Sequence, residues 1–139
     1  MRTKLIIILI AFMACACSGD NRSALQSYAV RHNHECPQAV DAELTITSYS
    51  YDKNANMFVI DYESAEKSYT VKKMRVAKMP LRRKIEKNLQ NDDLREFSEM
   101  LTAADASLRM RFAGKITDDT LDIDFSPAQL KKTVNKSRR

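Results

Sequence analysis

The chain has 139 residues, room for one domain but not for two cores. A composition 44% hydrophobic and 29% charged excludes a disordered chain, and two glycines with three prolines exclude a loop-rich or repeat-built scaffold. Setting aside Arg2 and Lys4 of the N-terminal segment, 21 basic side chains face 18 acidic ones, and an excess of about +3 is too small to imply a nucleic-acid partner.

Arg2 and Lys4 give a basic start, Leu5 to Met13 is an unbroken apolar run, and Ala14, Cys15, Ala16 and Cys17 follow before the polar Ser18-Gly19-Asp20-Asn21. A positive start, a short apolar run and a small-residue zone are the parts of a secretory signal. As a helix, Leu5 to Cys17 would be ~20 Å long, short of the ~30 Å hydrocarbon core of a bilayer. The segment resembles the lipobox of bacterial lipoproteins, in which a small residue precedes a cysteine that is acylated and becomes the new N-terminus. Two frames compete. Phe12-Met13-Ala14-Cys15 keeps a large apolar residue three before the cysteine, whereas Ala14-Cys15-Ala16-Cys17 has the small residue directly before it and a polar tether directly after. The second frame makes Cys17 the attachment residue, with Cys15 the alternative. Several acyl chains on one residue hold a protein firmly where a single chain holds it marginally. Residues 1–17 therefore read as a leader, and the resemblance implies an exported protein anchored in a membrane and facing the periplasm or the cell surface.

Residues 18–35 read as a tether running into one short helix, stopped at Cys36-Pro37 because a residue before proline is pushed out of helical backbone. Glu43 to Tyr51 and Asn56 to Glu63 are rich in Thr, Ile, Val, Tyr and Phe, and Asp52-Lys53-Asn54-Ala55 between them reads as a turn, giving a hairpin. Neither strand alternates cleanly. Pro80 suits a first helical turn, and Leu81, Ile85 and Leu89 recur at steps of four; after Asn91-Asp92, Asp93 with Glu96 suggests a capping box for a second helix striped by Leu94, Phe97, Leu101 and Ala104. Leu108, Met110, Phe112 and Ile116 alternate with Arg109, Arg111 and Lys115. Past Thr117-Asp118-Asp119, Leu121, Ile123 and Phe125 alternate with Asp122 and Asp124, a second hairpin with opposite charges facing across it. Ser126-Pro127 with Gln129 starts a short helix through Leu130, and the chain then frays into a basic tail, leaving one domain over 36–134 and a tail at 135–139.

The order β-β-α-α-β-β-α predicts an α+β fold: a four-stranded antiparallel sheet from two hairpins with helices packed on one face. From Cys36-Pro37 to Leu130, through Asp52 and Asn54 at the first turn, Lys87-Asn88-Leu89 and the strand Leu108 to Phe112, the chain resembles small exported lipoproteins of Gram-negative bacteria whose α+β domain is uncharacterised in activity. That resemblance implies location and fold, not chemistry.

Candidate sites are few. In an extended segment His32, His34 and Cys36 would project to one side, where a thiolate and two imidazoles suit Zn or Cu; on a helix, residues two apart do not face each other. Without a second ligand cluster, capping and surface roles are the plainer reading. With Cys15 removed and Cys17 acylated, Cys36 is the one thiol left, a buried small hydrophobe, a partner in an intermolecular disulfide or a reactive thiol. Lys72, Lys73, Arg75, Lys78, Arg82, Arg83, Lys84 and Lys87 form the densest basic stretch, able to lie on anionic lipid or polymer, although a solvated helix face is commoner. Asp118, Asp119, Asp122 and Asp124 lack the spacing and glycine of a calcium loop. No Ser-His-Asp order, phosphate-binding glycine loop or catalytic carboxylate pair stands out. The sequence thus predicts a lipid-anchored, non-enzymatic envelope module without a cofactor, binding a protein or envelope polymer, with an envelope metal or thiol-redox protein using His32, His34 and Cys36 as the alternative.

Overall fold

A computed structural model describes residues 21–139; the segment expected to be a leader, with Cys15 and Cys17, lies outside them. Helix α1 spans 21–33. It is followed by β1 (Gln38–Ala39), β2 (Leu44–Asp52), β3 (Met57–Ser64), α2 (Val71–Val76), α3 (Lys78–Leu89), α4 (Asp92–Ala103), β4 (Ser107–Gly114), β5 (Thr120–Phe125) and α5 (Pro127–Ser137).

Both expected hairpins form. They do not join as expected, because the sheet has five strands rather than four, in the order β1-β2-β3-β4-β5, and β3 pairs with β4 in parallel. The chain leaves β3 at Ser64 and re-enters the sheet opposite Met57, a full strand length back, after crossing through three helices. Asn56 fixes the return point: its amide N–H groups bond the carbonyls of Ala104 and Asp105 at 3.0 Å, and its own carbonyl takes the Ser107 N–H at 2.9 Å. A parallel neighbour requires such a crossover, and helices supply it. The fifth strand, β1, is two residues long and pairs with Thr45 and Ile46.

The uneven alternation of β2 comes from a bulge. Ile46 pairs with Tyr62 and Ser48 with Asp61, so Thr47 has no partner, and Leu44, Ile46, Tyr49 and Tyr51 all reach the core face despite their mixed spacing. On β4 and β5 the alternation is clean: Leu108, Met110, Phe112, Leu121, Ile123 and Phe125 are buried under the helices. The opposite face holds charge. Arg109 pairs with Asp124 and Arg111 with Asp122 across the hairpin, and Ser48 donates to Asp61 at 2.8 Å.

Residues 21–33 form more than a tether. Leu25 and Ala29 are buried, and Tyr28 stacks on Phe97 at 4.8 Å between ring centres, with Phe58 edge-on to both rings. Helix α2, capped by the Thr70 hydroxyl, precedes the expected pair, and α3 begins at Lys78 with Pro80 inside its first turn. The capping box expected at Asp93 is absent. Asn91 is the cap, without a side-chain bond, and Asp92 and Asp93 sit in the first turn, where the positive end of the helix favours them. The box at Ser126 and Gln129 is complete, and α5 runs on to Ser137 instead of fraying after Leu130, because Thr133 and Val134 are also buried.

Candidate functional site

One concave feature of the described surface is an open, two-lobed groove, lined mainly by carbon, running from α2 and α3 toward the β1–β2 edge. One lobe, of ≈ 420 Å³, lies between the two helices against Tyr69, Met74, Ala77, Pro80 and Leu81. The other, of ≈ 220 Å³, reaches inward past Leu44 and Tyr62 to Met110 and Phe112. Tyr69, Met74, Leu81 and Lys84 belong to both. The helix residues follow from local sequence. Val71 is buried and the half-buried Leu81 packs against the core, placing Met74, one turn beyond Val71, beside Leu81. Leu44 comes to the groove because Asp41 accepts the N–H groups of Glu43 and Leu44, at 2.8 and 2.7 Å, and turns the chain from β1 into β2. Those two bonds hold the Asp41 carboxyl below the usual carboxylate range.

Inside the groove Tyr62 stacks on Phe112, ring centres 4.8 Å apart and planes 15° apart. Burial pushes its phenol above the ordinary tyrosine range, so it stays neutral at any physiological pH. The polar groups of the outer lobe are the Lys73 and Lys84 ammonium groups and the Tyr69 phenol. Carbon surface flanked by two cations can hold an apolar ligand with an acidic edge.

The histidines and the cysteine of the sequence reading do not converge there. His32, on α1, lies between the rings of Tyr28 and Tyr49, at 4.0 and 5.5 Å, and its Nδ1 is 3.5 Å from a Glu35 carboxylate oxygen. His34 is exposed on the turn after the helix. Cys36 is half-buried and its Sγ–H donates to the His32 carbonyl at 3.6 Å, while burial and then Glu35 push the thiol up, away from the reactive thiolate. Among the described residues, no three His, Cys, Asp or Glu side chains gather closely enough to hold a metal ion. The basic stretch divides: Arg75 and Arg82 reach back to the Thr120 and Asp124 carbonyls of β5, whereas Lys72, Lys73, Lys78, Arg83, Lys84 and Lys87 are exposed. Sequence reasoning missed the groove. Its signal was Tyr69, Met74 and Leu81 set within a basic run.

The fold and the groove together define a small mixed-sheet α+β domain with an apolar recess. No protein-family model matches the chain, and no curated protein matches it. Two solved structures are similar. A protein of Pseudomonas aeruginosa inferred to be secreted shares the fold at a TM-score of 0.63 and 16% identity, over 80% of this chain and 93% of that one. The pilotin of the Vibrio vulnificus type 2 secretion system aligns at a TM-score of 0.48 and 13% identity, over 81% of this chain and 96% of that one. Among the described residues, no helix is long and apolar enough to cross a membrane.

Proposed function

We propose that this chain is an exported envelope protein, held at a membrane surface by acyl chains on Cys17, whose folded domain is a non-enzymatic binding module that takes an apolar, acid-flanked segment of a protein partner into the groove. The observation carrying the binding role is the groove itself, an open recess floored by Leu44, Tyr62, Met110 and Phe112 and flanked by Lys73 and Lys84. A recess lined mostly by carbon, with a few polar groups at its edge, is the form that binding sites commonly take. The titratable groups along the groove are two lysines, two tyrosines and Asp41, whose carboxylate is engaged by the Glu43 and Leu44 N–H groups. Export and anchoring rest on the leader and its cysteines, and the secreted assignment of the Pseudomonas aeruginosa relative is compatible with them.

Two measurements test the two halves. Cells fed labelled palmitate should label the protein, and Cys17→Ala should remove the label; an unlabelled wild type overturns the anchor. A photo-crosslinking residue at Leu81 should capture one discrete partner in cells, with capture reduced by Met74→Glu, whereas the same residue at Asn54 should not. Equal capture from both positions, or none from Leu81, overturns the groove.

A further inference from the structure

Helices α2 and α3 carry a second feature, on side chains other than those that floor the groove. Ala77 closes one helix and opens the next. Its N–H bonds the Lys73 carbonyl at 3.1 Å and its carbonyl takes the Leu81 N–H at 3.0 Å, so helix-type hydrogen bonds bridge the junction although Ala77 itself, at ψ 24°, leaves helical backbone. Counted through the junction, Lys72, Val76, Met79, Arg83 and Lys87 recur at steps of four, three, four and four, helical spacing on either side of it. All five are exposed, Val76 at 87% and Met79 at 59%. From Lys67 to Ile85 the sequence holds no acidic residue. Among the described residues, no carboxylate lies within 4.0 Å of Lys72, Lys73, Lys78, Arg83, Lys84 or Lys87, while Arg109, Arg111 and Lys131 each have such a partner.

We infer that this face seats on an anionic lipid surface, with Val76 and Met79 entering the headgroup boundary between the flanking cations. Unpaired cations fit any polyanion. The two apolar side chains at the middle of the stripe are what favour a bilayer, because a soluble polyanion offers them nowhere to go, whereas an interface rewards apolar insertion and cationic contact together. Binding of this kind weakens as salt rises.

Full-length chain is mixed with vesicles of phosphatidylcholine alone or with added phosphatidylglycerol, and lysine acetylation is read by mass spectrometry. Lys72 and Lys87 should react several-fold more slowly only with the anionic vesicles, while the exposed Lys53 and Lys136 react at unchanged rates. Val76→Asp with Met79→Asp should restore reactivity at unchanged melting temperature, since both positions are on the surface. Equal reactivity with both vesicle types overturns the proposal. So does equal protection by heparin without lipid, which would make a soluble polyanion the partner. Retention on phosphatidylcholine reads the acyl anchor separately, so the two ideas fail independently.

Discussion

The carboxylate of Glu66 lies in the space that a side chain at position 114 would need. Glu66 is buried, with a φ of +56°, and its oxygens accept the Thr117 N–H and hydroxyl at 2.9 Å, the Ile116 N–H at 3.1 Å and the Val71 N–H at 3.3 Å. One carboxylate therefore ties the loop after β3 to the start of α2 and to the β4–β5 turn. A Cβ at position 114 would overlap its Oε1 and come within 2.7 Å of its Cδ and of Thr117 Oγ1. Gly114→Ala should cost ~1–3 kcal/mol, as overpacking does, in urea unfolding. A neutral result would show that Glu66 can swing away freely.

The same carboxylate should shape the acid limb of stability. The Thr117 N–H chiefly, aided by its hydroxyl and by the Ile116 and Val71 N–H groups, holds the Glu66 carboxyl below the usual glutamate range. A depressed folded pKa contributes stability above the unfolded value, near 4.5, and loses it as pH falls through the folded one. Glu66→Gln should lower the melting temperature at neutral pH and flatten the fall below pH ~4.5. Parallel acid limbs for the two proteins would contradict it.

The aromatic cluster should be the costliest place to cut. Phe58 is fully buried and meets the rings of Tyr28, Phe97 and Tyr49 at 5.9, 5.0 and 6.4 Å. Phe58→Ala should cost ~3–5 kcal/mol, measured by chemical denaturation. A cost below ~1 kcal/mol would mean that α1 is not docked through this cluster.

On the outer face, Arg109 makes a two-pronged contact with Asp124 at 2.8 and 3.0 Å. Asp124 is about half exposed, so screening keeps the pair weak despite its geometry. A double-mutant cycle with Arg109→Ala and Asp124→Ala should give a coupling of ~0.2–1 kcal/mol that shrinks in high salt. A coupling several times larger would mean the face is covered by a partner.

Helix α5 starts on a closed capping box, with the Gln129 N–H on Ser126 Oγ at 3.3 Å and the Ser126 N–H on Gln129 Oε1 at 2.9 Å. Ser126→Ala should cost ~1 kcal/mol by thermal unfolding. No change would mean that packing of Leu130 alone fixes the helix start.

What the sequence could and could not convey follows from how local each interaction is. Both hairpins were readable, because the turn held by Asp52 is set within three residues and the pairing of Arg109 with Asp124 spans only fifteen positions. The parallel pairing of β3 with β4 was not. Phe58 and Ile60 would bury equally well against an antiparallel neighbour, and the choice is made by Asn56 gripping Ala104 and Asp105, some fifty positions on. The bulge at Thr47 shifted the period of β2 halfway along, so that Ile46 and Tyr49 share a face that no fixed alternation predicts. Helix α2 has six residues, too few to display a period, and the groove was lost with it because Met74 and Tyr69 had no element to be placed on. His32, His34 and Cys36 were visible as residues, but whether they converge depends on the helix ending at 33.

The two arginines that reach over β5 bear on how copies of this protein behave when crowded. A sheet stops at its last strand only if nothing continues it, and bare main-chain acceptors invite a strand from another molecule. Here the Arg75 guanidinium holds the Thr120 carbonyl at 2.6 Å, Arg82 holds that of Asp124, and the Arg82 guanidinium lies 4.3 Å above the Phe125 ring. An intruding strand would have to dislodge both cations to reach those two carbonyls. Part of what reads in the sequence as a basic helix thus covers main-chain acceptors at the edge of the sheet.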